Sequence, residues 1–130
     1  MSFKYLFFGG ILLSVISCSS LFAGNSERYY QEKLAKKLLA QQEVVMPDGT
    51  RCDLVTETHA IEVDFARKWA EAIGQSLNYG RMTGKSAAIV LIMEKDGDSR
   101  HLIRVKSIIR TFRLPLDLFV VRMDASFAKG

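Results

Sequence analysis

Asp53 lies in a strand-like run at residues 50–55 and Glu62 in a second at 59–63, with Thr56, Glu57 and Thr58 between them as a hairpin turn. One carboxylate on each of two adjacent strands, just ahead of a helix, is a way to hold a hard divalent cation such as Mg²⁺. Such a cation takes oxygen ligands and keeps waters for chemistry. The helix expected from about 65 to 79 adds further polar groups. At 100° per residue Lys68, Ala72, Gln75 and Tyr79 fall in one narrow stripe, beside an apolar face of Phe65, Trp69, Ile73, Ser76 and Leu77. Lys68, Gln75 and Tyr79 therefore stand at the border of the buried face, where a side chain reaches from scaffold into cleft.

Other chemistries find little support. His59 and His101 are the only histidines, far apart and without a neighbouring cysteine, which argues against a zinc centre. Nothing suggests a Ser/His/Asp triad. With only Cys18 and Cys52 present, no disulfide framework exists and the fold must rest on its core. Cys52 is expected on the strand face opposite Asp53, as a small buried hydrophobe.

The pieces Gly49-x-Arg51-x-Asp53, Ile61-Glu62-Val63-Asp64 and Gln75-Ser76-Leu77-Asn78-Tyr79 resemble, in type and order, the PD-(D/E)xK nuclease superfamily, and within it the RecB-like branch with a Gln-x-x-x-Tyr motif. The resemblance spans roughly residues 27–123. It implies a restriction-endonuclease-like α/β core, Mg²⁺ or Mn²⁺ as cofactor, and hydrolysis of phosphodiester bonds in DNA or RNA. On that basis Asp53 and Glu62 would hold the metal, Lys68 would orient water or stabilise the charged transition state, and Gln75 and Tyr79 would position substrate or lysine. Arg51, on Asp53's face, would hold a phosphate or pair with a carboxylate. A glutamate from the first helix would complete the set. Glu32, deeper in that helix, fits this placement better than Glu27, which falls on the Leu34/Leu38 face but in a first turn prone to fray.

One position departs from the pattern. The usual Glu-x-Lys is Glu62-Val63-Asp64 here, so an aspartate stands where the lysine is expected. Asp64, on Glu62's face, would bind metal or pair with Lys68, whose amine comes from one helical turn further on. Because such families include members that have lost catalysis, the alternative is an inactive nuclease-fold protein that binds nucleic acid or a partner protein.

The elements that position these groups follow from pattern. A first helix is expected over 27–41, capped by Asn25 or Ser26, with Tyr30, Leu34 and Leu38 buried. A strand over 43–46 turns through Pro47, Asp48 and Gly49, a strong hairpin signal, into the strand of Asp53. Glu43 is an edge residue able to reach the site from the far end. Gly80, Thr83 and Gly84 break the second helix, and the unalternating apolar run 87–93 reads as a central parallel strand reached by a βαβ crossover. Residues 95–99 form a polar turn. Helix 100–112 carries Arg100, Arg104, Lys106 and Arg110, with Arg113 following; it reads first as a solvated basic face and second as a phosphate contact. A last strand covers 117–123. The order is α-β-β-β-α-β-α-β, a mixed sheet flanked by helices.

The chain's 130 residues suit one domain, 24–130, behind a leader at 1–23. That leader has Lys4 as its minimal positive region, an apolar run over 5–16, and small residues after it. Cleavage before Gly24 would make it a signal peptide. Alternatively, Val15-Ile16-Ser17-Cys18 resembles a lipobox, in which Cys18 is lipidated and kept; a membrane would be met only through the leader, left uncleaved as an anchor, or through the Cys18 lipid. The protein is then periplasmic, lipid-anchored or secreted, with a net charge near +3 once Lys4 is gone. Intact-mass spectrometry of protein from the native host should find residues 1–17 missing at least. A diacylglyceryl group on Cys18 selects the lipoprotein form, and an intact amino terminus in the cytosol refutes export.

Overall fold

In the computed structural model, which describes residues 25–123, a five-stranded mixed sheet carries one helix on one face and two on the other. The elements are α1 (Glu27–Leu38), β1 (Gln41–Val45), β2 (Arg51–Val55), β3 (His59–Phe65), a 3-10 turn (Ala66–Lys68), α2 (Trp69–Thr83), β4 (Ser86–Met93), a second 3-10 turn (Asp96–Asp98), α3 (Ser99–Phe112) and β5 (Leu116–Arg122). Strand order equals chain order. β1, β2 and β3 form an antiparallel meander, and β3, β4 and β5 run parallel through the crossovers α2 and α3. This is the expected element order and class. The leader and Cys18 lie outside the described residues, among which no helix is long and apolar enough to cross a membrane.

The apolar run of β4 explains the layering. Ala88, Val90 and Ile92 meet Ile61, Val63 and Phe65 of β3 and Tyr30 and Leu34 of α1 on one face. Ala87, Ile89 and Leu91 meet Ala72 of α2 and Val105 of α3 on the other. A strand covered twice has no need of polar alternation.

Three helix boundaries differ from expectation. α1 stops at Leu38 rather than 41, because Leu39 turns left-handed (φ 52°) and the Ala40 N–H returns to Ala35 O at 2.9 Å. That brings Gln31 and Ala35 into the buried face with Tyr30 and Leu34, and leaves Leu38 and Leu39 exposed. The helix expected from 65 begins as the 3-10 turn, and α2 proper starts at Trp69. It then runs through Gly80 to Thr83, where left-handed Gly84 closes it with an N–H bond to Gly80 O.

Gly80 is thus a packing device, not a breaker. A Cβ there would sit 2.8 Å from Ala87 Cβ and 3.3 Å from β4 backbone. Gly74, in the same helix, has nothing within 4 Å of such a Cβ. Alanine is the better helix former by about 1 kcal/mol, but overpacking against a strand costs about 1–3 kcal/mol. Gly74→Ala should therefore raise the urea midpoint, by up to about 1 kcal/mol of stability. Gly80→Ala should lower it, and Ala87→Gly should restore part of that loss.

Candidate functional site

β3 presents Ile61, Val63 and Phe65 to α1 and Ala60, Glu62 and Asp64 toward α2. β2 pairs with β3 only through Leu54–Ile61 and Val55–Ala60. At Asp53 the ladder stops. The Asp53 side chain takes over, its Oδ2 accepting the Val63 N–H at 2.8 Å. On the other side Glu43 stands opposite Asp53 in the β1–β2 register without pairing to it, in a left-handed conformation (φ 53°) rare for a non-glycine in a strand. Alternation along β2 is lost here. Cys52, expected opposite Asp53, packs with Met46, Ala60 and Tyr79 beneath α2. Burial pushes its thiol up to about 11, so it is a core residue and no nucleophile.

Asp53, Glu62 and Asp64 are all buried, at 9%, 6% and 3% exposure. Their carboxyls all bind protons more tightly than usual. Desolvation is the main cause for each. Glu62 is pushed up to about 9, by burial and then by Asp53 and Asp64. Asp64 rises to about 7, by burial and then by Glu27. Asp53 rises to about 6, against the lowering effect of the Val63 bond and with Glu27 and Glu43 adding to the rise. Glu62's carboxyl is close enough to Asp53 to offset part of that through a hydrogen bond.

Lys68 sits in the turn after β3. Its Nζ lies 3.4 Å from Asp64 Oδ1 and 3.4 Å from Glu27 Oε2. Asp64 chiefly, with Glu27, raises its pKa. The pairing with Asp64 is one of the two roles expected of that aspartate, and Glu27 joins it as a second ion partner.

Glu27 also takes the position expected of Glu32. Glu32 is exposed and pairs with Arg28 at 3.0 Å. Glu27 is held in place because Ser26 caps α1, accepting the Tyr29 N–H, so the first turn does not fray. Arg51 takes the second of its two expected roles, pairing with a carboxylate, Glu43, at 3.3 Å. On α2, Tyr79 is buried against Met46, Cys52 and Ala60, and its hydroxyl is pushed up to about 12 by burial and then by Glu62 and Asp53. Gln75, one turn earlier, is half-buried.

Two buried oxygens on this side of the sheet, Glu62 Oε2 and Gln75 Oε1, have no hydrogen-bond partner. A buried acceptor without a donor is costly, and hard oxygen donors of this kind suit a cation. Among the described residues, however, no group of three or more His, Cys, Asp or Glu side chains is arranged as a metal cage. Mg²⁺ does not require one, since it is commonly held by one or two carboxylates together with waters and substrate oxygens. Asp53 and Glu62 fit that pattern. A groove of about 590 Å³ lies away from all of them, at the opposite end of α1 against β5. Comparison with known protein families, curated proteins and solved structures gives no match.

The raised carboxyl pKa values have a defined consequence for stability. A carboxyl that binds protons more tightly when folded stabilises the fold below its unfolded pKa, near 4, and loses that contribution as pH rises through the folded value. Chemical denaturation in chelator should therefore show stability declining between about pH 5 and 9, by an amount on the order of 1 kcal/mol or more. Glu62→Gln should flatten the upper part of that decline.

Proposed function

We propose that the protein is an exported, metal-dependent nuclease with a restriction-endonuclease-like core, hydrolysing phosphodiester bonds of DNA or RNA. The observation that carries this reading is the convergence of Asp53 and Glu62 where β2 parts from β3, with an orphaned Glu62 oxygen between the sheet and α2. Asp53 and Glu62 would hold Mg²⁺ or Mn²⁺, whose chemistry is to acidify water and neutralise charge on the leaving oxygen. Glu27 and Asp64 keep the Lys68 amine charged at the rim, where Lys68 is 45% exposed and able to meet a phosphate oxygen. Gln75 and Tyr79 brace the inner wall, Tyr79 through its packing on Cys52 and Ala60. Arg51 and Glu32, turned to Glu43 and Arg28, have no part in it.

Asp64 favours a second reading. An aspartate stands where the resemblance expects the lysine, and it already occupies the Lys68 amine. That arrangement also suits a catalytically silent protein binding nucleic acid or a partner protein through the same surface.

The assay uses purified protein on single- and double-stranded DNA and RNA, with Mg²⁺, Mn²⁺ or chelator. Glu62→Ala should abolish metal-dependent cleavage. Lys68→Ala should lower it on the order of a hundredfold or more, as for loss of one charge-stabilising group, with folding nearly intact. Lys85→Ala is the control. Its amine donates to Glu57 O at 2.6 Å, at the far end of α2, and its loss should cost little. Activity surviving both site variants would come from elsewhere. No activity on any substrate selects the binding-only reading.

A further inference from the structure

The outward face of α3 is more basic than a surface helix needs. Val105 is fully buried, and Leu102 and Ile109 pack beside it against the sheet. The opposite face presents Arg100, Arg104, Lys106 and Arg110 to water, interleaved with Ser107 and Thr111. α3 contains no acidic residue, and none of these four cations forms an ion pair among the described residues. Elsewhere Arg28, Arg51, Arg67 and Lys68 meet carboxylates, while Lys36, Lys37 and Lys85, which form no ion pair either among the described residues, are divided between α1 and the turn before β4.

This arrangement works against the helix itself. Arg100 lies in the first turn, where the macrodipole favours a carboxylate. Arg100 and Arg104, and Lys106 and Arg110, are like-charged pairs at i,i+4, which repel. A helix selected for its own stability would carry glutamates at some of these positions. Uncompensated repulsion of this kind is relieved by a polyanion.

The position of α3 indicates which polyanion. It packs against the 3-10 turn that holds Lys68 and against α2, so it shares these two neighbours with the carboxylate site. From Arg100 to Arg110 it extends about 15 Å, enough for roughly four phosphates of one nucleic-acid strand. A lipid surface fits less well. Membrane helices insert a broad apolar face, whereas Leu102, Val105 and Ile109 of α3 pack on the sheet and its large exposed apolar side chains are two, Ile103 and Phe112, nine residues apart and on opposite sides of the helix.

We propose that this face of α3 is a docking track for the phosphodiester backbone of a nucleic-acid strand, extending the substrate beyond the bond held at Asp53 and Glu62. The substrate is then a polymer, engaged over several phosphates by charge and hydroxyl contacts rather than by base recognition. The inference rests on the nuclease reading for its direction, but its test is separable from it.

The measurement is fluorescence anisotropy of labelled single- and double-stranded oligonucleotides in chelator over a salt series. The triple variant Arg100→Gln/Arg104→Gln/Arg110→Gln is compared with wild type and with Lys36→Gln/Lys37→Gln/Lys85→Gln, which removes the same charge elsewhere. The α3 triple should weaken binding roughly ten- to a hundredfold in low salt and reduce the salt slope by about two to three. The control triple should change binding by less than about threefold. The α3 triple should keep or raise the melting temperature, since like-charge pairs are removed. In parallel, hydrolysis of bis(4-nitrophenyl) phosphate with Mn²⁺ should be unchanged in the α3 triple. Equal binding by the two triples overturns the track while leaving the nuclease reading standing. Loss of binding in the α3 triple, with no diester hydrolysis by wild type, upholds the track and removes catalysis. Wild-type binding to phosphatidylglycerol vesicles but to no oligonucleotide overturns the track in favour of a lipid surface.

Discussion

The Asp53 carboxylate does the work of a missing strand residue. By accepting the Val63 N–H at 2.8 Å it satisfies a donor that the β2–β3 ladder abandons, and so lets the two strands part inside the sheet without leaving a buried N–H unpaired. The rest of the site depends on that parting. At the same level Cys52 packs with Tyr79, and Glu43 stands in a left-handed conformation across from Asp53. Burial has a cost. Three carboxyls with little water around them cannot all ionise cheaply, since each desolvated charge costs several kcal/mol unless it is compensated. Protons compensate them in part, and a cation would compete for the same oxygens.

Much of this was legible in the chain. Asp48-Gly49 and Thr56-Glu57-Thr58 announce their hairpins because turn chemistry is local. The 87–93 run announces a doubly covered strand because it lacks alternation. The placing of Asp53 and Glu62 on neighbouring strands follows from the second of those hairpins alone. What escaped was decided by packing at a distance. Gly80 reads as a helix breaker until β4 is seen to approach within 2.8 Å of where its Cβ would be. Leu39 gives no sign of being left-handed, because the chain's need to turn from α1 into β1 overrides its side-chain preference.

The exchange of Glu27 for Glu32 has the same origin. Helix depth favoured Glu32, but the relevant variable was which end of α1 meets the rim of β3. Ser26 holds the first turn closed, and the register of α1 against Phe65 and Val63 then places Glu27 beside Asp64. The contact of His59 Nε2 with Asp117 Oδ2, at 3.0 Å, is a further one with no sequence signal, since it joins residues on β3 and β5, across the intervening strand β4.

The aspartate at position 64 and the lysine at 68 are best understood together. A lysine on β3 itself would project its amine among buried carboxyls and balance their charge directly. Asp64 adds a third acid there, and the countercharge moves one turn outward to the rim. The Lys68 amine is consequently shared between Asp64 and Glu27, with its pKa raised and its charge secured, but at a distance from the deeper pair. In the proposed reaction, Lys68 then contributes by exchanging a carboxylate for a phosphate oxygen. That exchange becomes easier as a cation takes up the negative charge of the deeper acids. A metal held at Asp53 and Glu62 would be coupled to Lys68 through Asp64, which raises the pKa of Glu62 and pairs with Lys68. In physical terms, Asp64 and Lys68 together set the positive charge at the mouth of the site rather than on its floor.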